Sequence, residues 1–278
     1  MKSRIVYTPS GASKKRQKAR RVFWYTLIVV AVLLLSIGAV TALRATSLQI
    51  RQITLRGVST LDTHAIRESI NAHLAGTRIP IVPRSSFFLV NADAIASDLE
   101  RRFPRIEQAA AVKTFPDKLD VTITERTLWG VFCTGLESSS TPMCGYIDAG
   151  GVVYEQAPEP RGSLLTVIRS DVRSDGEGDA VPRQAIDMGV MAEIRALRDK
   201  LPTSAGVQVI NFELRSRVSS EIRATTGAGF TLIFRRENDV SGTLRVLKRV
   251  LDEEIKNRQS KLDYIDLRFG NKVFYKMK

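Results

Sequence analysis

Hydrophobic positions fall into three patterns along this chain. The first is continuous: residues 22–43, VFWYTLIVVAVLLLSIGAVTAL, carry no charged side chain. As a helix they reach roughly 33 Å at about 1.5 Å per residue, enough for a hydrocarbon core of about 30 Å. The second pattern repeats every three or four residues and predicts amphipathic helices. Ile66, Ile70 and Leu74 follow Asp62, which can cap a helix. Ile95, Leu99 and Phe103 follow Asn91, a second candidate cap. Ile186, Val190, Ile194, Leu197 and Leu201 mark a helix over 182–201, and Leu244, Leu247, Leu251 and Ile255 mark another behind Ser241. The third pattern alternates. Leu119, Val121 and Ile123 are interleaved with Asp120, Thr122 and Thr124, and Ile265, Leu267 and Phe269 with Tyr264, Asp266 and Arg268. Each predicts a strand that buries one face.

Turn residues order these segments. A strand over 48–55 ends at Arg56-Gly57, Gly76 stops the first helix, and Pro80 and Pro83 mark a loop. Pro104 ends the second helix, and Phe115-Pro116-Asp117 separates two strands. The order is β-α-α-β-β over residues 48–126, in which two helices can bury their stripes on one face of a three-stranded sheet. Further on, apolar runs at 128–134 and 144–147 flank a polar loop at 137–142, and Asp148–Gly151 turns the chain into 152–154. Strands are expected near 164–168, 207–212, 221–225, 230–234, 262–269 and 272–276. The fold class expected is therefore α+β. A single transmembrane helix is followed by the β-α-α-β-β domain and by a second α+β domain over 127–278 with a mainly antiparallel sheet.

Charge fixes the orientation. Eight of the net +13 charges lie in residues 1–21, which contain no acid. A basic segment beside an apolar span holds its end in the cytoplasm and attracts anionic headgroups, so it need not imply nucleic acid. Residues 44–278 are thus expected outside the cytoplasm. Val40-Thr41-Ala42 offers a signal-cleavage alternative, but signal h-regions run to about 7–15 residues and this one is longer, which favours a retained anchor. An external compartment permits a disulfide, and the chain has two cysteines, Cys133 and Cys144, whose neighbours read as two strands of one hairpin. A bridge contributing about 2–3 kcal/mol and a pair of unpaired thiols both fit.

Catalytic chemistry has no signature. His64 and His73 are nine residues apart on one predicted helix, on opposite faces, and cannot share a metal. Phosphate-loop, His-Glu-x-x-His and Cys-x-x-Cys motifs are missing from the sequence, and the acidic run 171–179 lacks EF-hand spacing. No catalytic, cofactor-binding or metal residue, no nucleic-acid partner and no small-molecule substrate is assigned. Asp266 and Arg268 share a strand face and form either an ion pair or part of a docking surface. Glu125-Arg126 sits at the domain junction as a clamp. The strand at 272–276 is a candidate sheet edge for strand addition by a partner, or else it closes its own sheet with Phe274 and Tyr275 as core residues.

Several of these residues carry a family resemblance. Pro104-Arg105-Ile106, Ala109, Lys113, Phe115-Pro116, Leu119 and Glu125-Arg126 resemble the pattern of the FtsQ-type POTRA domain, the membrane-proximal module of the bacterial division proteins FtsQ/DivIB. Tyr146-Ile147-Asp148 with Gly151-Val152-Val153-Tyr154 is similar to a hairpin of that family. Asp266-Leu267-Arg268-Phe269 is similar to its D-L-R-Y signature, with Phe for Tyr. The resemblance implies a non-catalytic, bitopic membrane protein with a basic tail (1–21), a span (22–43), a POTRA domain (48–126) and a C-terminal domain (127–278). It also implies partners similar to FtsB/DivIC and FtsL, a strand of the former adding near Asp266, Arg268, Phe269, Phe274 and Tyr275. Two rival readings are a POTRA-type chaperone or docking module in protein secretion or outer-membrane assembly, and a membrane-tethered cell-wall enzyme.

Overall fold

The computed structural model describes residues 12–79, 82–134, 142–162, 164–170, 181–215, 221–236, 239–270 and 272–278. The acidic run 171–179 and all of the polar loop 137–142 except Pro142 lie outside the described residues. The chain divides into two compact units. The first contains residues up to Arg101 together with Gln108–Thr124, and the second contains Arg102–Glu107 and Glu125–Lys278.

The first unit begins with helix α1, Ala12–Arg44. Its part from Arg20 to Arg44 is long and apolar enough to cross a membrane. A 3-10 turn, Thr46–Leu48, follows, with the Leu48 N–H bonded to Ala45 O at 3.0 Å. Strand β1 is therefore shorter than its apolar run suggested, Gln52–Arg56. Helix α2, Thr63–Leu74, is capped by Asp62, whose carboxylate accepts from the His64 N–H at 2.8 Å. Where a loop was expected, β2 (Thr77–Ile79) and β3 (Val82–Pro83) form a small hairpin. Helix α3, Ala92–Arg102, starts where the Asn91 side chain accepts from the Ala94 N–H at 3.2 Å. Strands β4 (Ile106–Thr114) and β5 (Lys118–Glu125) complete a sheet of order β1-β5-β4, in which β1 and β5 run parallel from Gln52↔Lys118 to Arg56↔Thr122. Ile66, Ile70, Ile95, Leu99, Leu119, Val121 and Ile123 are all buried. At about 1.5–3 kcal/mol for each such side chain, this burial is what holds the helices to the strands.

The second unit is built on one ten-stranded sheet. Its strands are β6 (Gly130–Thr134), β7 (Met143–Ile147), β8 (Val152–Ala157), β9 (Thr166–Ser170), β10 (Arg183–Gln184), β11 (Val209–Leu214), β12 (Glu221–Thr226), β13 (Thr231–Arg235), β14 (Leu262–Phe269) and β15 (Lys272–Met277). Their order is β10-β8-β7-β6-β9-β11-β12-β13-β14-β15, mostly antiparallel, with parallel pairs at β6–β9, β9–β11 and β13–β14. Helices α4 (Met188–Ala205) and α5 (Val240–Val250) cover one face. The core under them includes Phe132, Ile168, Met191, Ile194, Phe212, Leu232, Leu247 and Ile265.

Two helix starts differ from the sequence expectation. Helix α4 begins at Met188, not Pro182, because Arg183-Gln184 pair with β8 and Asp187 caps the helix through the Gly189 N–H at 2.8 Å. It runs on to Gly206, whose left-handed conformation (φ 68°) suits a residue without a side chain. Helix α5 is capped by Asp239, not Ser241: the Asp239 carboxylate accepts from the Ser241 N–H at 3.0 Å. A π-helical turn, Leu251–Ile255, continues α5 and keeps Leu251 and Ile255 in the core. On the sheet face away from the main core, Cys133 and Cys144 stand opposite each other on β6 and β7 and are joined by a disulfide. Cys133 packs there with Val131 and Val167.

Candidate functional site

The strand pair at the C-terminal side of the large sheet gathers most of the residues singled out from the sequence. β14 lies between β13 and β15. It is parallel to β13 through Leu232↔Ile265 and Ile233↔Asp266, and antiparallel to β15 through Ile265↔Tyr275 and Asp266↔Phe274. Alternation sends Ile265 and Leu267 into the core and Asp266 and Arg268 to the opposite face. Register shifts between Asp266 and Phe269, so that Phe269 lies opposite Lys272.

Asp266 is 6% exposed. Its carboxylate accepts from Arg268 three times: from Nε at 2.9 Å, from Nη2 at 2.6 Å and from the backbone N–H at 3.1 Å. The remaining guanidinium nitrogen, Nη1, donates to Glu221 on β12 at 2.7 Å, and Glu221 accepts from Arg223 at 2.8 Å. The four charges, two on β12 and two on β14, alternate in sign. They run over Ile233, which is in register with both Arg223 and Asp266 and is 5% exposed. Hydrogen bonding from Arg268 holds the Asp266 carboxyl below the usual carboxylate range, against the opposing effect of burial, and the same bond raises Arg268. Asp266 and Arg268 are thus both occupied within their own sheet.

The aromatic residues stand beside this network. The Arg268 guanidinium lies 5.5 Å from the centre of the Phe269 ring, and Phe269 meets Phe274 edge to face at 5.4 Å. Phe269 is 53% exposed and Phe274 54%. Phe274 shares a face with Asp266, whereas Tyr275, in register with Ile265, points to the helix-covered face and is still 40% exposed. The alternative in which Phe274 and Tyr275 are core residues does not describe these positions. β15 stands last in the sheet order, so among the described residues one side of this six-residue strand has no neighbouring strand. At the other end of the order, β10 has only two residues. Lys276 is paired with Asp263 at 2.9 Å, which raises its pKa.

Glu221, Arg223 and Ile233 had no signal in the sequence. Glu221 meets Arg268 only because β12 and β13 are stacked beside β14, which also sets Arg223 and Ile233 in one row with Asp266.

The remaining residues lie elsewhere in the second unit. Arg126 donates from its backbone N–H to Arg105 O at 2.8 Å, from Nε to Pro104 O at 3.2 Å and from Nη1 to Asp148 at 2.6 Å. Asp148 is itself 5% exposed and accepts from the Gly150 and Val152 N–H groups, closing the turn between β7 and β8. Gly151 in that turn has φ +86°, and a Cβ there would collide with Ile186 O. Glu125, beside Arg126, also has an interaction partner. Arg105, raised by its hydrogen bond with Glu155 at 2.6 Å, adds a second tie from the 102–107 segment. His73, from the first unit, lies 2.9 Å from Asp98.

Among the described residues one helix, at the N-terminal side of this α+β fold, is long and apolar enough to cross a membrane, which supports a membrane-anchored, single-pass protein. Residues 48–126 match the family described as POTRA domain, FtsQ-type. No curated protein matches the chain.

Proposed function

We propose that this protein is a non-catalytic, bitopic component of the bacterial division complex, which assembles FtsB/DivIC- and FtsL-like partners at the septum. In this reading residues 1–21 are a cytoplasmic tail, 22–43 cross the plasma membrane, and 44–278 are extracytoplasmic, the POTRA domain occupying 48–126 and the partner-binding domain 127–278. The positive charge in the tail supports that orientation, and the Cys133–Cys144 bridge suits an oxidising compartment.

The observation that carries the reading is the outer strand β15. It offers a row of backbone groups on its open side together with Phe269, Phe274 and Tyr275, all substantially exposed. A partner strand would satisfy those backbone groups, and the rings would supply anchor contacts for alternate side chains. Arg268, held by Asp266 and Glu221, keeps Phe269 in place from below. A tagged full-length chain is expected to retain short single-span coiled-coil proteins from its native membrane, and Phe269→Ala with Tyr275→Lys is expected to lose them. Undiminished capture by that variant would remove β15 as the interface.

A further inference from the structure

A second exposed aromatic group lies in the first unit, and the backbone places it beside the end of α1. Phe87 meets Phe88 and Phe115 edge to face, each at a centroid distance of 5.7 Å, and Phe88 and Phe115 are 58% and 66% exposed. The two segments that carry the rings are fastened to the stretch directly after α1. The Phe87 N–H donates to Leu48 O at 2.8 Å and the Ile50 N–H to Ser85 O at 2.8 Å. The Arg51 and Gln52 N–H groups donate to Asp117 O at 2.9 and 3.2 Å, which holds the Phe115–Asp117 turn at the same end. The parallel pairing of β1 with β5 has the same consequence, since Lys118 starts β5 level with Gln52. Only Ala45, Thr46 and Ser47 separate Arg44 from Leu48, and the Gln49 side chain donates back to Arg44 O at 3.1 Å.

The polar residues at this end complete the pattern. Lys113 is committed to the ring-bearing loop: it donates to Phe87 O at 2.9 Å and Val90 O at 2.8 Å and lies 5.2 Å from the Phe87 ring centre. Arg51, Arg84 and Lys118 are exposed there, against Asp93 and Asp117. Aromatic rings ringed by cations are the side-chain mixture of the membrane–water interface, where a ring sits at headgroup level and basic groups meet lipid phosphates. The rings project from turns and loops, not from the body of a strand.

We infer that Phe88 and Phe115 seat the first unit in the lipid interface of the bilayer that α1 crosses, with Arg51, Arg84 and Lys118 facing the headgroup phosphates. The inference rests on α1 being the membrane anchor and is independent of any division partner. The occupant is the lipid surface. The short connection after Arg44 leaves this end of the domain little freedom to stand away from it.

Single-tryptophan versions of the full-length chain test this in nanodiscs of phosphatidylcholine with and without phosphatidylglycerol, using lipids brominated near the headgroup as quenchers. With Trp129→Phe throughout, one protein keeps Trp24 as the reporter of α1. The others add Trp24→Phe and place the tryptophan by Phe88→Trp, Phe115→Trp or Thr60→Trp. Thr60 lies in the loop at the opposite end of β1. Quenching at positions 88 and 115 is expected to exceed that at 60 by about threefold or more, with a blue-shifted emission. Adding Arg84→Glu and Lys118→Glu should lower it in the anionic discs and leave it nearly unchanged in the neutral ones. If Trp24 is quenched while 88 and 115 match 60, the anchor stands and the seating is wrong. If Trp24 is not quenched, the anchoring reading fails and the seating with it.

Discussion

Two groups of aromatic rings, one at the POTRA sheet and one on the large sheet, stand outside the cores, and their backbone settings differ. Phe87, Phe88 and Phe115 stand on a loop and a turn at one end of a three-stranded sheet, close to the end of α1. Phe269, Phe274 and Tyr275 stand on and beside the outer strand of a ten-stranded sheet. Ring chemistry alone would give both groups the same partner. The second has a row of backbone donors and acceptors alongside, which suits a polypeptide strand. The first has cations and a nearby apolar helix instead, which suits lipid.

The largest effect expected is on partner capture. Two aromatic anchors at about 2 kcal/mol each would weaken binding by about 700-fold in Phe269→Ala with Tyr275→Lys. Phe88→Ser with Phe115→Ser should leave capture unchanged. Quantitative co-purification of all three proteins makes the comparison, and an equal loss in both variants would dissolve the distinction between the two patches.

Next in size is the bridge between β6 and β7, which lies toward the other end of the sheet order from β15. Cys133→Ser with Cys144→Ser, closing a loop with a sequence separation of 11, should cost about 2–3 kcal/mol in urea unfolding. A thiol assay on the denatured, unreduced wild type should find none. Partner capture should survive, because β14 and β15 do not touch the bridge. Two titratable thiols would exclude the bridge, and loss of capture would show that the edge depends on the whole sheet.

Arg268 gives a smaller, pH-dependent effect. Arg268→Gln leaves the nearly buried Asp266 carboxylate without its cation, and losing hydrogen bonds to a charged group costs about 1.5–3 kcal/mol. Asp266 has its pKa depressed in the folded chain. Its contribution is therefore complete above the ordinary carboxylate pKa of about 4 and disappears as pH falls through the lower folded value. Wild-type stability should decline on that acid limb, and Arg268→Gln should flatten it. Parallel curves for the two proteins would mean that Arg268 does not govern Asp266.

The same contrast explains what could be seen before the fold was known. In the POTRA region the information is local: Asp62 and Asn91 cap helices within three residues, and Ile66, Ile70 and Leu74 repeat within one helix. In the second unit the strands except β10 were read one by one, and the cysteine hairpin of β6 and β7 with them, but the pairings between strands distant in the chain were not. Parallel contacts join β6 to β9, β9 to β11 and β13 to β14, and no local pattern encodes such pairings. The Asp266–Arg268 pair was visible because two residues on one strand face meet locally. Glu221, which completes it, lies 47 positions away. Helix α4 was drawn too early because Ile186 fits the helical spacing and is buried, although it precedes the Asp187 cap.

The smallest effect expected tests whether the rings near α1 serve the fold at all. Ile66 is fully buried, and Ile66→Ala should cost about 2–5 kcal/mol through lost transfer energy and a cavity. Phe88 is more than half exposed and closes no cavity, so Phe88→Ser should change unfolding in detergent by no more than about 0.5 kcal/mol. Among the described residues its ring contact is the edge meeting with Phe87, and Lys113 holds Phe87 through its carbonyl and ring face, and Val90 O besides, whatever stands at 88. A loss above about 2 kcal/mol would place Phe88 among the residues that hold the domain together, since exposed substitutions seldom reach that size. Its exposure would then need no lipid to explain it, and the two aromatic patches would differ in structural importance, not in the kind of partner they meet.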